Sequence, residues 1–245
     1  MFEALPATTP ELLRQVYGLR YQVYCLETGF EDPAASPEGL ETDEYDNHSL
    51  HGLLLHRRSG MPAGTIRVVL PELGRYSGRL PIRKVCRDPR LRDPGFLPEK
   101  RTAELSRFAI SKAFRQRLGD ELYGGVHRHN KARDSRIIPH ISLGLMAVAL
   151  QMTQGHGIDY ICAVMEPALL RLLGRLGIRF TPIGPLVDYH GKRQPCFAEI
   201  DTLLSTIERD RHDVWEVVTD RGLYWSERRP RRRDTDDRPG LAVDL

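Results

Sequence analysis

The sequence predicts an α/β (α+β) fold in which a central, twisted, mixed sheet carries helices on both faces. Three observations point there. Apolar residues recur at helical steps in four long segments, while the segments between them are short, apolar and strand-like. A hairpin in the first half and strand–helix–strand crossovers in the second call for antiparallel and parallel neighbours in one sheet. The composition, 40% hydrophobic and 28% charged over 245 residues, is that of a globular chain long enough to bury its own core.

Residues 9 to 26 open with Thr9 as an N-cap, Pro10 at the first helical position and Glu11 in the first turn. Leu12, Val16, Leu19, Val23 and Leu26 follow at steps of three and four, so one amphipathic helix is predicted over the whole segment. A Pro/Gly/Asp-rich loop covers 28 to 47. "SLHGLLLHR" and "AGTIRVVLP" then make a hairpin around "RSGMP". Residues 71 to 100, rich in Pro, Gly and Arg, read as a long irregular excursion of the functional or mobile kind.

"TAELSRFAISK" resumes as a strand, and 112 to 135 is polar with no clear period. From Pro139, "HISLGLMAVALQMTQGHG" is apolar almost all round, a helix buried on most sides and closed by Gly155 or Gly157. "IDYICAVM" is a strand and "EPALLRLLGRLG" a helix with Pro167 near its start. "RFTPIG" and "QPCFAEI" are strands flanking a "PLVDYHGKR" loop, and "DTLLSTIERDRHDVWEVV" is a helix capped by Asp201. Residues 1 to 225 are expected to form one domain, and 226 to 245 a basic, disordered tail containing "RRPRRR".

No stretch reaches the ~18 to 20 apolar residues needed to span a bilayer, and the N-terminus lacks the basic start and apolar core of a secretion signal. A cytoplasmic protein with at most peripheral membrane contact is expected. The four cysteines, Cys25, Cys86, Cys162 and Cys196, are far apart and read as buried thiols. Of 36 basic residues 31 are Arg, whose permanent, fork-shaped charge suits phosphate and carboxylate partners. There is no P-loop, G-x-S-x-G, H-E-x-x-H or G-x-G-x-x-G, and no helix-turn-helix or zinc finger, so no nucleic-acid partner is expected. His127 and His129 in "HRHN" lack a third metal ligand, and no metal is assigned.

What remains is a scattered constellation of charge. "ETDEYDNHS", 41 to 49, crowds Glu41, Asp43, Glu44 and Asp46 ahead of an apolar strand, where a solvated turn is the plain explanation. Arg67, however, lies inside the apolar run "GTIRVVL", where a guanidinium needs a carboxylate partner, and the acidic loop can supply one. Arg20 and Tyr24 share a helix face at i, i+4. Glu104 and Arg107 belong on opposite faces of a regular strand, unless a bulge between them brings both to one site.

Arg20-x-x-x-Tyr24, Glu41-x-Asp43-x-x-Asp46, Arg67 and Glu104-x-x-Arg107-Phe108, in that order, resemble the acyl-homoserine-lactone (autoinducer) synthases and the related N-acyl amino acid synthases. The second half, with "LVDYHGKRQP", resembles the acyltransferases associated with PEP-CTERM/exosortase systems. The resemblance implies a GNAT-type fold and an N-acyltransferase that moves an acyl chain from a thioester to an amine. Autoinducer synthases usually carry Phe where Tyr24 stands and Trp where Phe30 stands, which points away from S-adenosylmethionine and toward an amino acid or similar small amine. A Gln/Arg-x-x-Gly-x-Gly/Ala pyrophosphate loop is absent, so the implied donor is acyl carrier protein rather than CoA, with no further cofactor.

An α-ammonium group, of ordinary pKa ~8, must lose its proton before it can attack. Glu104 is the first candidate for the base, followed by Asp46 and Glu41. Arg20, Arg67 and Arg107 would hold the acidic loop or bind the acceptor's carboxylate, with Tyr24, Phe30, Asp43 and Phe108 completing the acceptor pocket. The competing readings are an autoinducer synthase, a CoA-dependent acetyltransferase, or a non-catalytic binding protein of the same fold.

Overall fold

The computed structural model describes residues 2–71, 80–114 and 131–226. The "HRHN" pair and the tail from 227 onward lie outside the described residues. Among the described residues there are eight strands: β1 (Phe2–Pro6), β2 (Ser49–His56), β3 (Pro62–Val69), β4 (Thr102–Ile110), β5 (Tyr160–Met165), β6 (Thr181–Pro182), β7 (Val187–Asp188) and β8 (Lys192–Glu199). They lie in the order β1-β2-β3-β4-β5-β8-β6, with β7 added as a short hairpin on β8. Every pairing is antiparallel except β4 with β5. Those two are joined by α3 (Lys131–Thr153), as a parallel pair needs a crossover.

α1 (Pro10–Arg20) covers one face of the sheet. Val16, Leu19 and Val23 pack on Leu53 and Ala109, each such burial being worth about 1.5 to 3 kcal/mol for the larger side chains. α3 covers the other face, with Leu145, Met146 and Ala149 against Ile66, Val68, Ala103 and Ile161. Gly52 lets α3 approach: a Cβ there would stand 2.7 Å from Val148 Cγ1 and 3.0 Å from Ile66 Cγ2.

Several boundaries differ from the sequence expectation. The first helix is α-helical only to Arg20, and Tyr21–Glu27 continues as a wider π-helical turn. Its extra residue per turn rotates the stripe, so Cys25 is buried and Leu26 is 63% exposed. α3 begins at Lys131 rather than at Pro139, because an internal proline removes one helical N–H without ending the helix here. "RFTPIG" contributes only the two residues of β6, while β8 extends back into "KR". The 71 to 100 excursion contains α2 (Ile82–Val85) and two 3₁₀ turns, Pro89–Arg92 and Glu99–Arg101.

β1 was not anticipated; five residues ending in a proline carry too little pattern, and its pairing with β2 is what fixes it. α4 (Pro167–Arg175) matches expectation. The last long helix is two, α5 (Ile200–Asp210) and α6 (His212–Val218), broken at Arg211, whose Nη1 donates to the Arg175 carbonyl at 2.8 Å. Glu199, not Asp201, is the N-cap, since Ile200 is already in the first turn. α7 (Leu223–Ser226) ends the described chain.

Candidate active site

The site begins where two strands part. β4 and β5 are paired from Thr102↔Tyr160 to Leu105↔Ala163, and β4 then runs on to Ile110 without β5. The opening is a cleft of about 380 Å³ floored by Glu104 to Ile110 on one side and by Val164 to Glu166 on the other. A bulge on β4 faces β3 at the same point. Arg67 pairs Ser106 but Thr65 pairs Ala109, so β4 holds one residue more, and Arg107 adopts φ 48°. This places Arg107 on the same face as Arg67 and Glu104, which simple alternation forbids.

The acidic loop is built to receive these arginines. Asp43 caps the 3₁₀ turn Glu44–His48, its carboxylate accepting from Tyr45 N at 2.9 Å, while Asp46 Oδ2 accepts from Asp43 N at 2.7 Å. The two carboxylates are thereby fixed toward the sheet. Arg20, fully buried, donates through Nε to Glu41 Oε2 at 2.5 Å and through Nη1 to Asp46 Oδ1 at 2.7 Å. Arg67 Nη1 donates to Asp43 Oδ1 at 2.5 Å and Asp46 Oδ1 at 2.8 Å, and its Nε to Ser106 Oγ at 2.9 Å. Arg107 Nη2 reaches Glu41 at 2.8 Å, Asp43 at 3.0 Å and Glu31 at 3.2 Å. The Arg107 guanidinium also lies 5.2 Å from the Tyr24 ring centre.

Burial favours the neutral form of the Glu41 and Asp46 carboxyls, yet the surrounding guanidiniums overcome it. Arg20 and Arg107 pull Glu41 below its ordinary value, and Arg20 and Arg67 pull Asp46 far below. Both are therefore anions with no appetite for a proton. Glu104 is the opposite case. It is 2% exposed, touches no guanidinium among the described residues, and its Oε2 accepts from Ile82 N, at the start of α2, at 2.7 Å. Burial, offset only partly by that N–H and by the more distant Arg67 charge, pushes its pKa up to about 8.

Of the residues expected from the sequence, Tyr24, Phe30, Asp43, Arg67, Glu104, Arg107 and Phe108 all line this one cleft. Arg20, Glu41 and Asp46 do not line it; they stand behind as the ionic support of Arg67 and Arg107. Sequence reasoning missed Glu31, Ser106, Tyr189, His190 and Arg193, which also line the cleft. Ser106 lies inside the Glu-x-x-Arg spacing, and the last three lie in or beside the "DYHGKR" hairpin. An aromatic–histidine–basic cluster between two short strands was the available signal.

Comparison with known proteins follows this geometry. Residues 19–123 match the family profile of the Acetyltransferase (GNAT) domain. No curated protein sequence matches the chain. Among solved structures, TofI in a ternary complex with an inhibitor and MTA superposes with a TM-score of 0.59 at 19% identity, covering 88% of this chain and 96% of that one. The AHL synthase LasI gives 0.53 at 19%, covering 80% and 88%. FeeM, an N-acyl amino acid synthase from uncultured soil microbes, gives 0.53 at 18%, covering 84% and 94%. Among the described residues no helix is long and apolar enough to cross a membrane. The enzyme class expected from the sequence, an acyltransferase, agrees with the domain match, and the eight-stranded mixed sheet that parts between β4 and β5 is the GNAT fold.

Proposed function

We propose that this chain is an N-acyltransferase that moves a fatty acyl group from a carrier-protein thioester to the amine of an amino acid or similar small acceptor. The observation that carries the reading is Glu104: a carboxyl with its pKa pushed up to about 8 by burial, beside the point where the sheet opens, with no ion-pair partner among the described residues. A base for an ammonium group works best when its own pKa lies near the working pH.

In this reading Glu104, directly or through a water, accepts the acceptor's ammonium proton. The freed amine attacks the thioester carbonyl and the C–N bond forms; the nitrogen of the tetrahedral intermediate then gives up its extra proton to the departing sulfur as the C–S bond breaks, so an amide and a thiol result. The backbone of β4 beyond its last β5 partner, Leu105, is where N–H donors for the oxyanion would stand. Val164, Met165, Leu169 and Phe108 offer apolar wall for the acyl chain. Glu41 and Asp46, rather than taking the proton, hold Arg20, Arg67 and Arg107 in place.

An acyl-homoserine-lactone synthase is the second reading, favoured by the likeness to the AHL synthase LasI and opposed by Tyr24 and Phe30, where autoinducer synthases usually carry Phe and Trp. A CoA donor is also in play, since solved structures of CoA-dependent acyl-homoserine lactone synthases, BjaI and MesI, superpose with TM-scores of 0.51 and 0.53 at 19% and 18% identity. The test is to offer the purified protein long-chain acyl carrier protein, long-chain acyl-CoA or acetyl-CoA with pooled amino acids or S-adenosylmethionine. N-acyl products are read by mass spectrometry. Acyl amino acids are expected; no thioester consumed with any donor ends the reading.

A further inference from the structure

The three central arginines are spoken for. Arg20, Arg67 and Arg107 each end on protein carboxylates, and the acids Glu41, Asp43 and Asp46 match them one for one. None of the three is free to hold the carboxylate of an acceptor without leaving a buried anion unpaired, which is costly. The β3–β4 wall of the cleft is thus charge-balanced, and Glu31 adds one more carboxylate at its edge.

The opposite wall carries a different guanidinium. Gln194 is the last residue of β8 paired with β5, opposite Met165, so Arg193 lies just past the end of that ladder, beside Glu166. Its side chain is 13% exposed, and its Nη1 stands 2.6 Å from Glu166 Oε1. Glu166 is 54% exposed, so this pair is a rim contact worth little in water and open to exchange with another carboxylate. The Arg193 guanidinium lies 5.7 Å from the Phe30 ring centre, and Phe30 is packed on His190 with ring centres 5.1 Å apart. His190 takes φ 52°, a left-handed conformation that costs energy in a non-glycine residue, and its Nε2 is 3.9 Å from Glu31 Oε1. The tilted Phe30–His190 pair therefore has an anion, Glu31, beside its histidine and a cation, Arg193, beside its phenylalanine.

The geometry points to Arg193 as the residue that reads the acceptor's carboxylate, making the acceptor class a zwitterionic α-amino acid rather than a simple amine. This deepens the transferase reading and rests on it. The acceptor's ammonium faces the Glu31–Asp43 edge and Glu104. Its carboxylate displaces Glu166 and takes the Arg193 fork in a bidentate, charge-assisted pair. Phe30 and His190 form the platform between them.

Binding tests this without chemistry. Individual proteinogenic amino acids and their carboxamides, which keep the amine and side chain but lose the carboxylate's charge, are titrated calorimetrically into wild type, Arg193→Gln, Arg193→Lys and Glu166→Gln, each first shown folded by its thermal melt. The expectation is that the best-bound amino acid outcompetes its carboxamide by about 10- to 100-fold in wild type. Arg193→Gln should erase that difference, Arg193→Lys restore part of it, and Glu166→Gln keep or increase it. Equal affinity for acid and carboxamide in wild type overturns the assignment, as does undiminished acid binding by Arg193→Gln or the absence of any amino-acid binding. If carboxamides are bound and acylated as well as acids, the transferase stands and Arg193 loses its role; if no thioester is consumed, the transferase itself falls.

Discussion

Arg107 Nη2 donates to Glu41 Oε1 at 2.8 Å across 66 positions of sequence, and the same Glu41 accepts from Arg20 Nε at 2.5 Å. One carboxylate thus ties the first helix to the bulged strand at the centre of the sheet. Glu41→Gln leaves two buried guanidiniums short of an anion, and a loss of about 3 to 5 kcal/mol is expected. Urea denaturation at pH 7 measures it; a loss below about 1 kcal/mol would show that the network is ornamental.

Glu104 makes stability depend on pH in an unusual direction. Its folded pKa, about 8, lies above its ordinary carboxyl value, so the folded state binds the proton more tightly. The stabilisation is complete below the unfolded pKa of ~4.3 and is lost as pH rises through about 8. Glu104→Gln, which keeps an acceptor for Ile82 N, should remove that slope. Denaturation of both proteins at pH 5, 7 and 9 checks it: the variant should gain on wild type as pH rises.

His51 slopes the other way. It is 4% exposed, neither ring nitrogen has a hydrogen-bond partner among the described residues, and burial lowers its pKa to about 4 despite Asp46 at 3.7 Å. The unfolded chain therefore binds the extra proton first, and stability is lost as pH falls from ~6.5 through about 4. His51→Leu should cost under about 1.5 kcal/mol at pH 7 and gain on wild type at pH 5, measured by the same denaturation series. A variant that loses ground at pH 5 contradicts this.

Gly52→Ala puts a methyl group 2.7 Å from Val148 Cγ1 on α3, inside a packed core. A loss of about 1 to 3 kcal/mol is expected in a thermal or chemical melt, with the cleft's chemistry untouched in kind.

The fold was legible where a pattern was long and local. The Thr9-Pro10-Glu11 start, the hairpin of β2 and β3 and the buried α3 all carry their own signals. Lost were features set by tertiary contact: β1 exists because β2 offers it an edge, and the break at Arg211 goes with its hydrogen bond to the Arg175 carbonyl. The charged constellation could be read because an arginine in an apolar strand demands a partner, and Arg67 has two. Its division of labour could not. The order of residues ranked Glu104 first by its place on a central strand, but it did not show that Glu41 is wedged between guanidiniums while Glu104 is buried apart from them. Arg193 escaped notice because its neighbour Phe30 is more than 160 positions away, and only the hairpin brings them together.

The central claim is that Glu104 takes the proton from the attacking amine. The most direct measurement is kcat/KM for thioester consumption against pH, in wild type and Glu104→Gln, with the donor and acceptor that the product screen identifies. Wild-type activity should rise with pH to a plateau above about 8, and the variant, folded and at saturating acceptor, should lose about 10²- to 10⁴-fold. A Glu104→Gln protein that transfers the acyl group at the wild-type rate, with the same pH dependence, contradicts the account.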